Sequence, residues 1–222
     1  MSARSLIAGL CLLQPVFAFA FGLQDEPVGT KVTGTFALGN KRIHAPASDW
    51  TLIARHTWTG TTDKVRQGTN FAGVYLAEIR DGRLTRGLQA WGNVDPNLAR
   101  GWRHPVDPCK QREKPLAYRN LSENVDNQFC FDVSELRGYM RASTGWRRDA
   151  QQWLADQQVK VPPTVLVVRF AKLERAFWTE VFYYFDPSQL PGNSTAERAE
   201  AAAKWAEDNS GAVRAGLATR GP

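Results

Sequence analysis

The chain contains few of the residues that most often carry out chemistry. Its 222 residues include three cysteines, three histidines and two methionines. The sequence has no C-x-x-C pair, no H-E-x-x-H motif and no G-x-S-x-G nucleophile turn. Because these absences exclude the common zinc-binding, zinc-protease and serine-hydrolase signatures, we predict neither a metal site nor a cofactor.

Long apolar runs are also missing beyond residues 1–20, so we predict that the mature chain has no transmembrane segment. The first residues differ, because an apolar stretch follows the single basic residue Arg4. Ala18 and Ala20 then provide a small-x-small cleavage site. An uncleaved anchor is the alternative, but Pro15 interrupts the stretch. We predict a cleaved signal peptide over 1–20 and a soluble protein exported to the periplasm or the extracellular space.

Two cysteines, Cys109 and Cys130, remain after that cleavage. An even number of cysteines in an exported chain favours a disulfide, because oxidising compartments preserve such bonds. A zinc site would need about four ligands at short spacings. A catalytic thiol would need a base, and no histidine lies between the two cysteines. We therefore predict a disulfide that closes a polar loop of about 22 residues.

The chain lacks any run of five like charges, although its formal net charge is +6 and its pI is about 9.4. Basic residues are scattered along the sequence, as they are on many solvated surfaces. We therefore predict no nucleic-acid binding. The basic balance is compatible with an anionic partner such as an envelope glycan or a lipid surface, and it leaves the oligomeric state open.

Alternating patterns and one turn signal predict strands in the N-terminal half. The Asp81–Gly82 dipeptide is typical of a type I′ hairpin turn. That turn pairs Ile79 with Leu84, and the same register places Tyr75 opposite Leu88. A second alternating stretch predicts a strand in which one face is shared by Trp50, Leu52, Ala54, His56 and Trp58.

Capping patterns and apolar stripes predict three helices. Asp132 followed by Glu135 is a capping box, and so is Ser194 followed by Glu197. A stripe of apolar residues predicts another short helix between these two boxes. The predicted helices cover 132–142, 146–157 and 195–207.

The order of elements predicts an α+β fold. Strands precede two short helices, and two further strands and a C-terminal helix follow them. This segregation favours an antiparallel sheet of hairpins or a meander, which could curve strongly, with the mid-chain helices inserted and the C-terminal helix packed on the sheet. We predict one domain over 21–210 and a frayed tail over 211–222.

Two residues are candidates for acid-base catalysis. Glu180 lies between Trp178 and Phe182 on one face of a predicted strand, a setting that could raise its pKa towards that of a general acid. His56 could act as a general base. The alternatives are a glutamate on the solvent face that pairs with a nearby arginine, and a hydrogen-bonded core imidazole.

Aromatic and basic residues supply candidates for ligand binding. Eight tryptophans is a high number for this length. An indole near a strand end or in a loop could stack on a sugar ring, and an arginine could bind an anionic group. Core packing is the alternative explanation, above all for Trp58 and Trp91. The candidates are Trp58, Trp91, Trp102, Arg55, Arg86 and Arg103.

Two functional hypotheses follow from these observations. The first is an exported, non-catalytic domain that binds an envelope component, a glycan or a protein partner. The second is a small secreted hydrolase that acts on carbohydrate or cell-wall material, with Glu180 or His56 as the acid or base. The missing catalytic motifs favour the first hypothesis.

Overall fold

The computed structural model describes residues 22–46, 48–62, 65–94, 108–110, 114–141, 144–174 and 177–218. The predicted signal peptide, Trp102 and Arg103 lie outside these ranges. Within them the chain forms ten strands and two α-helices. The strands are β1 (Lys31–Val32), β2 (Phe36–Leu38), β3 (Lys41–Ile43), β4 (Trp50–Thr62), β5 (Val65–Arg80), β6 (Arg83–Asn93), β7 (Ala117–Asn120), β8 (Asn127–Arg137), β9 (Thr164–Glu174) and β10 (Phe177–Phe185). The helices are α1 (Gly145–Asp156) and α2 (Thr195–Leu217).

Eight of the strands form one antiparallel sheet in the order β1-β4-β5-β6-β10-β9-β8-β7. The strands β2 and β3 form a separate hairpin. The predicted antiparallel sheet and C-terminal helix are therefore confirmed. The sheet ends in two edge strands and is not closed, so the strong curvature that the prediction allowed is not confirmed.

Helix α2 and the β2–β3 hairpin cover one face of the sheet, which we call the α2 face. The predicted capping box is present, because the Ser194 hydroxyl accepts from the Glu197 amide and the Glu197 carboxylate accepts from the Ser194 amide. The helix continues to residue 217 because Val213 and Leu217 extend its buried stripe. The predicted helix end near residue 207 is therefore wrong. The predicted frayed tail is wrong for residues 211–217, because these residues belong to α2.

Helix α1 packs over β4 on the opposite face, which we call the α1 face. Its Ala150 and Leu154 lie in a cluster with Ile53 and Tyr75. The second of the two predicted mid-chain helices is confirmed by α1. The first is wrong, because the chain from 127 to 137 is β8.

The alternating burial of β8 explains why no helix forms there. Phe129, Phe131 and Val133 belong to the core of the α2 face. Between them Cys130 and Asp132 point to the other face, where the Asp132 carboxylate accepts from Arg169. Successive side chains of a strand point to opposite faces of the sheet, so a strand at this position buries both groups of residues. This burial outweighs the local capping pattern.

The β5–β6 hairpin has the predicted turn but a different register. Asp81 and Gly82 have φ values of 50° and 67°, as a type I′ turn requires, and Ile79 pairs with Leu84. A bulge then shifts the register, so that Tyr75 pairs with Gln89 and not with Leu88. One extra residue in one strand is sufficient for this shift.

A second bulge, between Leu52 and Ala54, divides β4 into two parts. Leu52 packs in the α2-face core, whereas Ala54 packs in the α1-face cluster. His56 and Trp58 follow Ala54 in alternation and therefore face the α1 side. The prediction that all five alternating residues of this strand share one face is wrong, because a bulge reverses the alternation.

Lys41 is a buried cation at the edge of the α2-face core. Only 2% of its surface is exposed, and its Nζ donates to the Asn93 carbonyl oxygen at 2.8 Å. The Phe177 ring lies 4.4 Å from the same nitrogen. Burial lowers the pKa of Lys41 from 10.5 to about 7, although Glu174 acts in the opposite direction.

This shifted pKa predicts that stability increases with pH. Between the folded pKa near 7 and the unfolded value of 10.5, the unfolded chain binds a proton at Lys41 that the folded chain does not. The free energy of unfolding should therefore rise by about 2 kcal/mol between about pH 7.5 and 9, as urea titrations at several pH values would measure.

The substitution Lys41→Met should remove most of that rise. A smaller rise should persist, because burial also lowers the pKa of Lys172. Lys204→Met, at an exposed position on α2, should keep the wild-type profile. Equal pH slopes for the wild type and Lys41→Met would contradict the shifted pKa.

Candidate functional site

The two predicted acid-base residues lie on the same face of the sheet but not within reach of each other. The register places His56 opposite Gly73, Gly73 opposite Trp91, and Trp91 opposite Glu180. Three strand spacings of about 4.8 Å separate the backbones of His56 and Glu180 by roughly 14 Å. Trp91 stands between them, so the two residues do not form an acid-base pair.

Glu180 is held in a buried ion-pair network. Its carboxylate accepts from Arg169 Nη1 at 2.7 Å, and Asp132 accepts from Arg169 Nε at 2.6 Å. The guanidinium also donates to the carbonyl oxygen of Pro108 at 3.0 Å. At most 7% of any of these three charged side chains is exposed. This geometry is that of a structural network.

Trp58 and Trp91 lie in a cluster of rings on the α1 face. Trp58 stacks on His56 and on Phe71, with ring centroids 5.4 and 5.3 Å apart. Trp91 meets Trp178 edge to face at 4.4 Å. Both tryptophans are only half-buried. Because each indole already packs against other rings, mutual packing accounts for Trp58 and Trp91 without a ligand.

Arg86 is engaged in a salt bridge. Its Nε donates to the buried carboxylate of Glu78, and its guanidinium lies 5.5 Å from the Trp50 ring centroid. Burial alone would raise the pKa of Glu78, but the hydrogen bond from Arg86 lowers it below its usual value. Arg86 therefore compensates a buried charge on the sheet.

The remaining predicted residues meet at an open cleft between β4 and α1, which we call the β4–α1 cleft. Its volume is about 590 Å³. It brings together Arg55 and His56, which the sequence singled out as ligand-binding and catalytic candidates. The other residues that line it are Val28, Ile53, Ala54, Thr57, Asp149, Gln152, Trp153 and Asp156.

One side of the cleft is a polar stripe on α1 that sequence reasoning missed. Asp149, Gln152, Trp153 and Asp156 follow the three- and four-residue spacing that places side chains on one helix face. Gln152 Nε2 donates to Asp156 at 2.7 Å, so the amide and the carboxylate lie side by side. The spacing was visible in the sequence, but nothing in the sequence showed that this stripe faces His56.

The arrangement suits a ligand rich in hydroxyl groups. The planar amide, carboxylate and guanidinium groups can each exchange two hydrogen bonds with neighbouring hydroxyls. Trp153 supplies an apolar ring beside them. Arg55 is already oriented, because its Nη1 donates to the carbonyl oxygen of Gln24 at 2.9 Å.

The cysteine pair lies at the far end of the row that contains Trp91 and Glu180. Cys130 is opposite Ala171 in the register, and its sulfur lies beside that of Cys109. The two Cα atoms are 5.6 Å apart, which is compatible with a disulfide. The Tyr118 hydroxyl donates to the carbonyl oxygen of Cys109. The pair thus anchors residues 108–110 beside Arg169.

In the part of the chain that the structure describes, no three His, Cys, Asp or Glu residues are grouped so that they could hold a metal ion. The helices in the same ranges are too short or too polar to cross a membrane.

Comparisons with known proteins give no family for this chain. No family model matches it, and no curated protein or solved structure is significantly similar to it.

Proposed function

We propose that this protein is an exported, non-catalytic binding protein that holds a glycan of the cell envelope in the β4–α1 cleft. The observation that carries the proposal is the polar stripe of α1 facing His56 across an open cleft of about 590 Å³, which Arg55 also lines. That volume falls within the roughly 300–1,000 Å³ typical of small-molecule sites.

Export is supported by the leader-like pattern of residues 1–20 and by the cysteine pair. The placement of Cys109 beside Cys130 is compatible with a disulfide, and disulfides persist mainly in oxidising compartments outside the cytosol. A glycan of the envelope would be encountered in such a compartment.

The absence of catalysis is supported by the state of Glu180. This carboxylate is buried and bound to Arg169, and it lies about three strand spacings, or roughly 14 Å, from His56. Glycoside hydrolysis generally needs two carboxyl groups about 5–10 Å apart across an open site. Asp149 and Asp156 do line the cleft, but both belong to α1, so no carboxylate of the lining faces them from β4.

A glycan array with the chain from residue 21 onward tests this proposal, followed by calorimetry on the glycans that bind. Gln152→Ala should weaken binding roughly tenfold, equivalent to about 1.4 kcal/mol, because the ligand loses the two-sided hydrogen bonds of one amide. Gln151→Ala is the matched control, since Gln151 lies on the same helix, is exposed and does not line the cleft. Equal affinities for the two variants, or no glycan bound by the wild type, would contradict the proposal.

The hydrolase is the second candidate, and one observation favours it. His56 shares the cleft with Asp149, and a carboxylate beside an imidazole can orient a general base. Reducing ends released from bound glycans would distinguish the two functions. Turnover that is lost in His56→Gln while binding persists would establish the hydrolase.

A further inference from the structure

A second, smaller cavity lies on the α1 face at the other end of α1. Its volume is about 190 Å³. We call it the tyrosine cavity, because three tyrosines of the sheet and the adjoining turn line it. These are Tyr75, Tyr139 and Tyr184, together with Gln89, Leu136, Gly138, Met140, Arg141 and Arg147.

Gln89 presents an unused donor in this cavity. Only 1% of its surface is exposed, and its Oε1 accepts from the Tyr184 hydroxyl at 2.9 Å. Its Nε2 is buried and has no hydrogen-bond partner among the described residues. Because a buried donor without an acceptor lowers stability, its position beside a cavity points to a ligand atom that accepts from it.

The tyrosine hydroxyls add a second donor. Tyr75 and Tyr139 share one hydrogen bond, which uses the proton of only one of them. Burial raises the pKa of both phenols well above 10, so both remain protonated at physiological pH. Gly87 makes room for this pair, since a Cβ at that position would lie 2.3 Å from the Tyr139 oxygen.

Two arginines make the cavity electropositive. Arg141 and Arg147 line it and are otherwise exposed. Arg147 acts on the buried hydroxyls, because its charge opposes the rise in the pKa of Tyr75 and Tyr184 that burial causes. It belongs to the first turn of α1, where the helix dipole is positive. The carboxylate of Glu180 raises the pKa of Tyr184, but its charge is neutralised by the ion pair with Arg169.

We propose that the tyrosine cavity binds a small carboxylate through Gln89 Nε2, a tyrosine hydroxyl and Arg147. The groups that converge there are donors and cations, which match the acceptor oxygens of a carboxylate. The volume equals about six times the share of one water molecule in the liquid, which limits the ligand to a short chain or a single ring. Leu136 and Met140 would contact its apolar part. This site is separate from the β4–α1 cleft, and the proposal does not depend on glycan binding.

Titration of the chain from residue 21 onward with butyrate and benzoate, followed by NMR and calorimetry, tests the proposal. Butyramide and benzamide match these acids in shape without the charge, and butylamine carries the opposite charge. We expect saturable binding of one of the acids, at least tenfold weaker binding of the matching amide, and no saturable binding of the amine.

Arg147→Gln should weaken binding of the acid roughly tenfold and reduce its dependence on salt. Arg148→Gln is the matched control, since this neighbour is exposed on the same helix and does not line the cavity. Gln89→Leu provides a second variant, expected to weaken binding of the acid while leaving the Tyr75–Tyr139 pair in place.

Three outcomes would overturn the proposal. The first is the absence of saturable binding of either acid up to about 10 mM, which corresponds to a binding free energy of about −2.7 kcal/mol. The second is equal affinity in the two arginine variants, and the third is a preference for the amide or the amine. Gln152→Ala should bind the acid as the wild type does, so that failure at one site is distinguishable from failure at the other.

Discussion

Replacing Arg169 by methionine is expected to lower the free energy of unfolding by about 3–5 kcal/mol. The reason is the pair of carboxylates that this guanidinium neutralises. Asp132 and Glu180 are 7% and 3% exposed, and the substitution would leave both negative charges buried side by side without a cation. It would also remove the donor to the Pro108 carbonyl oxygen.

Arg137→Met is the matched control for this measurement. Arg137 also pairs with a glutamate of the same sheet, Glu135, but 85% of its side chain is exposed. Exposed pairs contribute about 0–1 kcal/mol. Urea unfolding at constant pH should therefore separate the two variants by more than about 2 kcal/mol.

Neutralising the carboxylates should restore part of the loss. The triple variant with Arg169→Met, Asp132→Asn and Glu180→Gln no longer buries an unpaired charge, so it should unfold at a higher urea concentration than Arg169→Met alone. A loss below about 1 kcal/mol for Arg169→Met would show that the network is not a buried ion pair in solution.

Replacing both Cys109 and Cys130 by serine is expected to lower the free energy of unfolding by about 3 kcal/mol. A disulfide between these two positions would join residues 21 positions apart and so restrict the unfolded chain. The described residues between the two cysteines form only the short edge strand β7 and the first three residues of β8. Few backbone hydrogen bonds would therefore replace the covalent constraint.

Mass spectrometry and chemical unfolding check this expectation together. The chain isolated from an oxidising compartment should be about two mass units lighter than its reduced form, as one disulfide requires. A reducing agent should bring the wild type to the stability of the serine variant and leave that variant unchanged. Free thiols in the isolated chain would contradict both the crosslink and the proposed compartment.

The two effects should not be additive. Cys109 follows Pro108, whose carbonyl oxygen accepts from Arg169, so the crosslink helps to hold that acceptor over the guanidinium. Combining both serines with Arg169→Met should cost less than the sum of the separate losses, because the second change removes a contact that is already weakened. A strictly additive result would indicate that Pro108 contributes little to the network.

Several elements of the fold could be predicted because their signals are local. The Ser194–Glu197 capping box needs only neighbouring backbone groups, and the Asp81–Gly82 turn needs only two residues that accept positive φ. Neither signal depends on the rest of the chain. The structure has both at the predicted positions.

The errors arose where a distant contact outweighed a local pattern. The Asp132 capping box was not used, because a strand at that position buries Phe131 on one face and pairs Asp132 with Arg169 on the other. The C-terminal helix was predicted too short, because its last turns are held by core contacts of Val213 and Leu217.

The site was predicted only in fragments. Arg55 and His56 were singled out and do line the β4–α1 cleft, but the stripe of α1 that faces them was missed. Trp102 and Arg103 lie outside the described residues. Trp58 and Trp91 pack against other rings, and Glu180 and Arg86 are engaged in buried ion pairs. These aromatic and charged side chains differ from ligand-binding ones only in that they contact residues of neighbouring strands, and the sequence does not show those contacts.

The sequence by itself determined the β5–β6 hairpin with its turn at Asp81–Gly82 and the start of α2, because each depends on residues close together in the chain. The tertiary structure alone decided which face of the sheet each side chain occupies. One bulged residue reverses the alternation of a strand, and the position of a bulge depends on the neighbouring strand. For that reason His56 faces α1, and Gln89 lies opposite Tyr75 with an Nε2 that has no partner among the described residues.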